Sequence, residues 1–213
     1  MFETFGFETL TAPQAAVWFG VLLGLAFGAL AQVTRFCLRR ALVGAGEERR
    51  PAMAVWLTAL AAAVIGTQAV VAAGWVEFAD HRFLAADLPV LAIVAGGLAF
   101  GAGMVLTRGC ASRLTVLLGS GNLRALTVLL IFAVTAHATL KGVLAPLRTA
   151  LGSVTLDVAP ALPGGPVLWS ALAAAAAGFG TRRAGARTAH LALGALFGPT
   201  VPLGWAGTGV VVY

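Results

Sequence analysis

Six apolar runs, at about 16–37, 52–75, 89–107, 123–147, 166–181 and 187–203, constrain this chain more than any other feature. Crossing the hydrocarbon core of a bilayer takes roughly 20 apolar residues of helix. Six spans or near-spans within 213 residues leave little chain for a soluble domain. The charge content agrees, since 10% of residues are charged, against about 25% in soluble domains. Mean hydropathy is +0.94. The expected fold is an all-α polytopic membrane protein, with residues 1–213 forming a single transmembrane domain.

The first fifteen residues hold Glu3 and Glu8 and no basic residue. They lack the positive region of a cleaved signal peptide, so the first span is expected to stay in the mature protein. A net charge of +6 would suggest nucleic acid in a soluble protein. Here the basic residues sit in short connections at alternate helix ends, which marks membrane orientation instead. Arg39, Arg40, Arg49 and Arg50 follow the first run, Arg108, Arg113 and Arg124 the third, and Arg182, Arg183 and Arg187 the fifth. These ends are expected in the cytoplasm. Glu77, Asp80, Asp87 and Asp157 fall on the other side, which places the N-terminus outside.

Residues 75–88 mix Trp75, Phe78, Phe83 and Leu84 with Glu77, Asp80, His81, Arg82 and Asp87, a pattern of an interfacial connection rather than a span. Residues 148–166, with Pro160, Pro163, Gly164, Gly165 and Pro166, break any helix and are expected to divide two halves of the molecule.

Within this apolar frame one string occurs twice. Gly24–Ala29 and Gly97–Ala102 both read GLAFGA, and each runs on into Thr-Arg-x-Cys-x-x-Arg: Thr34, Arg35, Cys37, Arg40 and Thr107, Arg108, Cys110, Arg113. At an offset of 73, ten of seventeen positions between Gly24–Arg40 and Gly97–Arg113 are identical, and the chain's two cysteines coincide. This argues for a duplicated unit carrying a paired site, with repeats at about 16–75 and 89–147. A degenerate third copy, about 166–213, keeps Gly194, Phe197 and Gly198 but has Trp205 and Gly207 at the arginine and cysteine positions. Because the sequence ends within the apolar run Val210–Tyr213, a longer natural protein is expected.

The pairs Gly24/Gly28 and Gly97/Gly101 form GxxxG, which lets another helix backbone approach closely. On an unbroken helix, residues three apart share a face and residues two apart do not. Cys37 therefore joins Arg40, and Cys110 joins Arg113, whereas Arg35 and Arg108 reach the same space only if the backbone breaks. Gly109 favours a break in the second copy; Phe36 makes it less evident in the first. A short helix starting at each cysteine would favour an anion there, and broken helices of this kind line cavities in transporters. The plainer readings are a cysteine acting as a small buried hydrophobe and arginines acting as orientation anchors. Neither requires the duplicated spacing.

His137 and Lys141 stand four apart on the fourth run, and ionisable groups inside a membrane are functional candidates. They are read as a polar path, with Lys141 snorkelling and His137 bonding a neighbouring helix as alternatives. Gln32 is a weaker candidate for that path, and Gln68, like Gln32, suits interhelical hydrogen bonding. Two cysteines 73 apart form neither a disulfide framework nor a zinc spacing. No metal, cofactor, hydrolytic triad or nucleotide-binding loop is expected.

The glycine-rich helix running into Arg35 and Cys37, the string Gly103–Arg113 and the later Gly204-Trp205-x-Gly207 resemble the YeeE/YedE family of bacterial inner-membrane proteins. That resemblance, in which Gly204–Gly207 is read as a loop, implies a pseudo-symmetric helical protein whose short re-entrant helices and loops converge on a central path. It also implies that cysteines relay thiosulfate by transient S–H hydrogen bonds, with Cys37 and Cys110 at two such positions. The family's further C-terminal cysteine has no counterpart here. The function expected is uptake of thiosulfate or a related small sulfur anion past Cys37, Cys110, Arg35, Arg40, Arg108 and Arg113, with delivery to a cytoplasmic sulfur-carrier protein. The alternatives are a membrane sulfurtransferase holding a persulfide on Cys37 or Cys110, and a structural subunit of another membrane complex.

Overall fold

Ten helices carry the regular structure of the described residues, which are 11–78, 87–156 and 164–212 in this computed structural model. They are α1 (Ala12–Thr34), α2 (Leu38–Val43), α3 (Gly46–Ala72), α4 (Val90–Leu106), α5 (Ala111–Gly119), α6 (Leu123–Lys141), α7 (Ala145–Gly152), α8 (Gly165–Ala184), α9 (Thr188–Phe197) and α10 (Thr200–Val212). Residues 79–86 and 157–163, which include Asp80, His81, Arg82, Phe83, Leu84, Asp157, Pro160 and Pro163, lie outside the described part, as do 1–10 and 213.

The apolar runs do become helices, but sequence breakers cut them differently from a simple count of six. Four stretches are long and apolar enough to cross a bilayer among the described residues: Pro13–Val43, Gly46–Ala72, Val90–Gly119 and Leu123–Lys141. The run 123–147 stops at Gly142, where α6 ends and α7 begins. The run 187–203 is divided at Gly198 and Pro199 into α9 and α10, because proline has no N–H to continue the ladder. Helix starts follow local chemistry. Thr11 N–H donates to Gln14 Oε1 at 3.1 Å before α1, and Asn122 Oδ1 accepts from Ala125 N–H at 3.1 Å before α6.

The chain forms two units, residues Met1–Glu77 with Gly164–Tyr213, and residues Phe78–Pro163. The units do not follow chain order, since the first draws on both ends of the sequence. The N-terminal and C-terminal thirds pack together, and the middle third stands as its own unit.

In the first unit α3 is the central helix, packed on α2, α8, α9 and α10, while α1 packs on α9 and α10. Its interior is made of small residues: Ala41, Ala54 and Ala59 are almost fully buried. Phe197 of α9 fills the space between Phe27 and Phe36, with ring centroids 4.7 and 4.3 Å away. In the second unit α6 packs on α5 and α7, and α4 on α7. Leu88 and Leu156 exchange backbone hydrogen bonds of 3.2 and 2.9 Å in an antiparallel bridge.

The glycines that permit close packing are not those of the GLAFGA strings. A Cβ on Gly24, Gly28, Gly97 or Gly101 would meet nothing within 4 Å, so the GxxxG contact expected for them is not seen among the described residues of either unit. Contact instead falls on Gly194 against Val55, Gly198 against Ala59, Ala62 and Ala63, Gly66 against Pro202, and Gly207 against the Phe19 ring. This also corrects the expected loop at Gly204–Gly207. That segment is helical, part of α10, and its glycines make room for α1 rather than break the chain.

A stability test follows. Gly198→Ala should destabilise the protein by about 1–3 kcal/mol, since the new methyl meets backbone atoms that cannot yield. Gly24→Ala should be neutral or stabilising by up to about 1 kcal/mol through helix propensity. Melting temperatures in detergent micelles give the comparison, and equal losses would overturn it.

Candidate functional site

Both copies of the duplicated string leave the helix in the same way. In the first, α1 ends at Thr34, Arg35 adopts a left-handed conformation with φ of 50°, and Cys37 is the extended residue that caps α2. In the second, α4 ends at Leu106, Arg108 is left-handed with φ of 60°, and Cys110 is the extended residue that caps α5. Arg35 and Arg108 are the only non-glycine residues with positive φ among the described residues. The backbone breaks at the arginine in both copies, so neither Gly109 nor its absence at Phe36 decides the matter.

Local hydrogen bonds hold each break. Arg35 N–H donates to Gln32 O at 3.3 Å and Phe36 N–H to Ala31 O at 3.0 Å, the pattern of a helix end that glycine ordinarily occupies. Thr34 Oγ1 donates to Leu30 O at 2.6 Å. In the second copy Arg108 N–H donates to Val105 O at 3.2 Å. Thr107 Oγ1 lies 2.8 Å from Gly103 O and 2.9 Å from Gly109 O, so one hydroxyl faces the last helical turn and the broken segment together. The threonine that precedes each arginine thus has a defined local task. Spacing alone did not reveal it.

Stacking of Phe36 on Phe197 fixes the first break from outside the string. Arg40 reaches back, its Nη1 donating to Arg35 O at 3.5 Å, while its Nε lies 4.0 Å from Glu48 Oε2. That second distance is an ion pair without a hydrogen bond. Cys37 is half-buried, and Arg35 is exposed.

Cys110 is more enclosed, with 8% of its surface exposed. Its Sγ lies 3.2 Å from Ser112 Oγ, a partner the spacing analysis did not single out. The thiol borders a cavity of about 430 Å³ between α4, α5 and α6. Thr107, Cys110 and Thr135 are its polar contributors, and Phe100, Met104 and Phe132 make up much of the rest. Such a wall offers few competing donors, so the thiol and the helix start are its main polar features. Arg113 lies half-buried on α5, its Cγ near the position a Cβ on Gly109 would take.

The polar-path residues lie elsewhere. His137 and Lys141 are exposed on α6, beyond the turns that line the Cys110 cavity. Gln32 is exposed on α1, one turn before Cys37. No group of three or more histidine, cysteine or acidic residues is placed to hold a metal ion among the described residues.

Long apolar helices with outward-facing leucine, valine and phenylalanine side chains, among them Leu25, Leu98 and Val134, define a multi-pass α-helical membrane protein. The chain belongs to the sulphur transport family, of the YeeE/YedE type, whose family model matches residues 33–206. That match takes in both Thr-Arg-x-Cys strings and Trp205. No curated protein and no solved structure matches the chain. Family membership makes it a transporter of sulfur compounds.

Proposed function

We propose that this protein takes up thiosulfate, or a small sulfur anion much like it, through a path lined by cysteine and arginine side chains, with Cys37 and Cys110 as its thiol contacts. The observation that carries the reading is the shared break, a left-handed arginine followed two residues later by a helix-capping cysteine. A strained backbone conformation at a non-glycine residue costs about 1–3 kcal/mol and persists where function maintains it. Its occurrence at Arg35 and at the equivalent Arg108 supports a duplicated functional unit.

The chemistry suits a soft dianion. Leaving water strips the anion of its hydrogen bonds, which must be replaced by donors and positive charge. Arg35, Arg40, Arg108 and Arg113 supply the charge, and the first N–H groups of α5, which lack partners within their helix, supply donors. A thiol is a weak donor. It holds the terminal sulfur of thiosulfate briefly, and weak successive contacts let an ion leave as readily as it enters. The aromatic and aliphatic lining beside Cys110 keeps other strong ligands away.

The membrane in question is the bacterial inner membrane, with the N-terminus periplasmic and Arg39–Arg50 and Arg182–Arg187 cytoplasmic. The first unit supports this arrangement, because Arg49 and Arg50 of α3 and Arg183 of α8 line one recess at the same helix ends. Cytoplasmic-type reporter signals are expected from fusions at residues 48 and 184, and periplasmic signal at either would overturn the orientation. Transport itself is tested by uptake of sulfur-labelled thiosulfate into cells lacking other sulfate and thiosulfate importers. Cells expressing the protein should accumulate label, and accumulation no greater than in vector controls would refute thiosulfate as substrate.

A further inference from the structure

A second recess, which begins four residues after Arg40 of the first cysteine string, has a different chemistry. It holds about 800 Å³ between the start of α3 and the end of α8, bordered by Gly44 after α2 and by Gly46, the first residue of α3. Arg49 and Arg50 enter from α3 and Arg183 from α8, and no acidic residue lines it among the described residues. Arg183 is held in place by the Phe179 ring, its guanidinium carbon 4.3 Å from the ring centroid. This cation–π contact orients the guanidinium and leaves its N–H edges open to a ligand.

The recess is graded along the helices. On α3 the arginines are followed one and two turns further in by Met53 and Leu57, and on the antiparallel α8 Arg183 is followed inward by Phe179. Its floor is where Gly180 meets Leu57, since a Cβ on Gly180 would come within 3.0 Å of that side chain. A site for a free inorganic anion has no use for an apolar floor. A phospholipid needs this order of chemistry, with guanidinium groups for the phosphate and hydrocarbon for the start of the acyl chains.

The geometry points to a binding site for one anionic phospholipid, its phosphate held by Arg49, Arg50 and Arg183 and its chains entering beside Met53, Leu57 and Phe179. The bound lipid joins α3 to α8 at the end where their arginines would otherwise repel one another. Neither cysteine lines this recess, and the arginines here have a task beyond orientation.

The test uses the full chain purified in detergent, with native mass spectrometry to count retained lipid after addition of phosphatidylglycerol or phosphatidylcholine. Phosphatidylglycerol should be retained preferentially. The Arg49→Gln/Arg183→Gln variant should bind it about tenfold more weakly or worse, the loss expected for hydrogen bonds to charged groups. Arg182→Gln, which removes one positive charge next to Arg183 but outside the recess lining, should bind as the wild type does; Arg183→Gln alone should weaken binding, and Arg183→Lys should fall between that variant and the wild type. Unchanged elution and melting temperature in lipid-free detergent confirm that the exposed substitutions leave the fold intact. Equal weakening by Arg182→Gln would reduce the effect to diffuse charge and overturn the site. So would retention by the double variant, or displacement of the lipid by inorganic phosphate but not by chloride at matched ionic strength, which would indicate a plain anion site.

Discussion

Cys110→Ala is expected to abolish thiosulfate-dependent growth, or reduce it sharply, while protein abundance in the membrane stays at the wild-type level. Cys110 is 8% exposed and borders a cavity, so a methyl group in place of the thiol removes little contact and costs about 1 kcal/mol. A packing role therefore predicts near-normal transport. A relay role predicts loss, because alanine offers the passing anion no donor. Cys110→Ser should give slow uptake rather than full rescue: the hydroxyl donates, but it interacts more strongly with water and less softly with sulfur. Cys37→Ala should impair uptake to an equal or lesser degree. Wild-type uptake by the Cys37→Ala/Cys110→Ala double variant would refute the relay and leave only the arginines to defend.

Arg108→Gly is expected to produce the second large effect, loss of uptake in a protein as stable as the wild type or slightly more so. At φ of 60° an L-residue is disfavoured by about 1 kcal/mol or more, and glycine is not. Glycine thus satisfies the backbone and removes the charge. Alanine at the same position removes the charge and keeps the strain, so similar uptake defects in Arg108→Gly and Arg108→Ala assign the role to the guanidinium group. Arg182→Ala, at the end of α8 and outside both cysteine strings, should leave uptake intact. Normal uptake by Arg108→Gly with a raised melting temperature would show that the arginine serves only as an anchor. Arg35→Gly repeats the experiment in the first copy.

Much of the site was legible because its chemistry is written in residue types and spacing. Two arginines, a cysteine and a threonine recurring at one offset are visible without coordinates, and the condition for bringing Arg35 or Arg108 beside its cysteine, a broken helix, followed from helical periodicity. Which residue would break was not visible. Glycine is the usual left-handed residue, so the sequence pointed to Gly109 and gave no reason for a break at Phe36. The structure places it at the arginine in both copies, held by hydrogen bonds from Thr107 and by the stacking of Phe36 on Phe197. The latter partner is 161 residues away in the chain, and no local rule anticipates it.

Composition and apolar run length determined, from sequence alone, that this is a helical membrane protein, since a bilayer admits only helices and closed barrels and unbroken apolar runs near 20 residues suit helices. The duplicated string determined which side chains to suspect. Tertiary structure decided what neighbours do for one another. Glycines at GLAFGA, which looked like packing sites, meet nothing among the described residues, while Gly194, Gly198 and Gly207 accept the close contacts. The segment read as a loop at Gly204–Gly207 is helix. Glycine permits a break, a close approach or a plain helical turn at little difference in local energy, so the choice among them belongs to whatever packs against it.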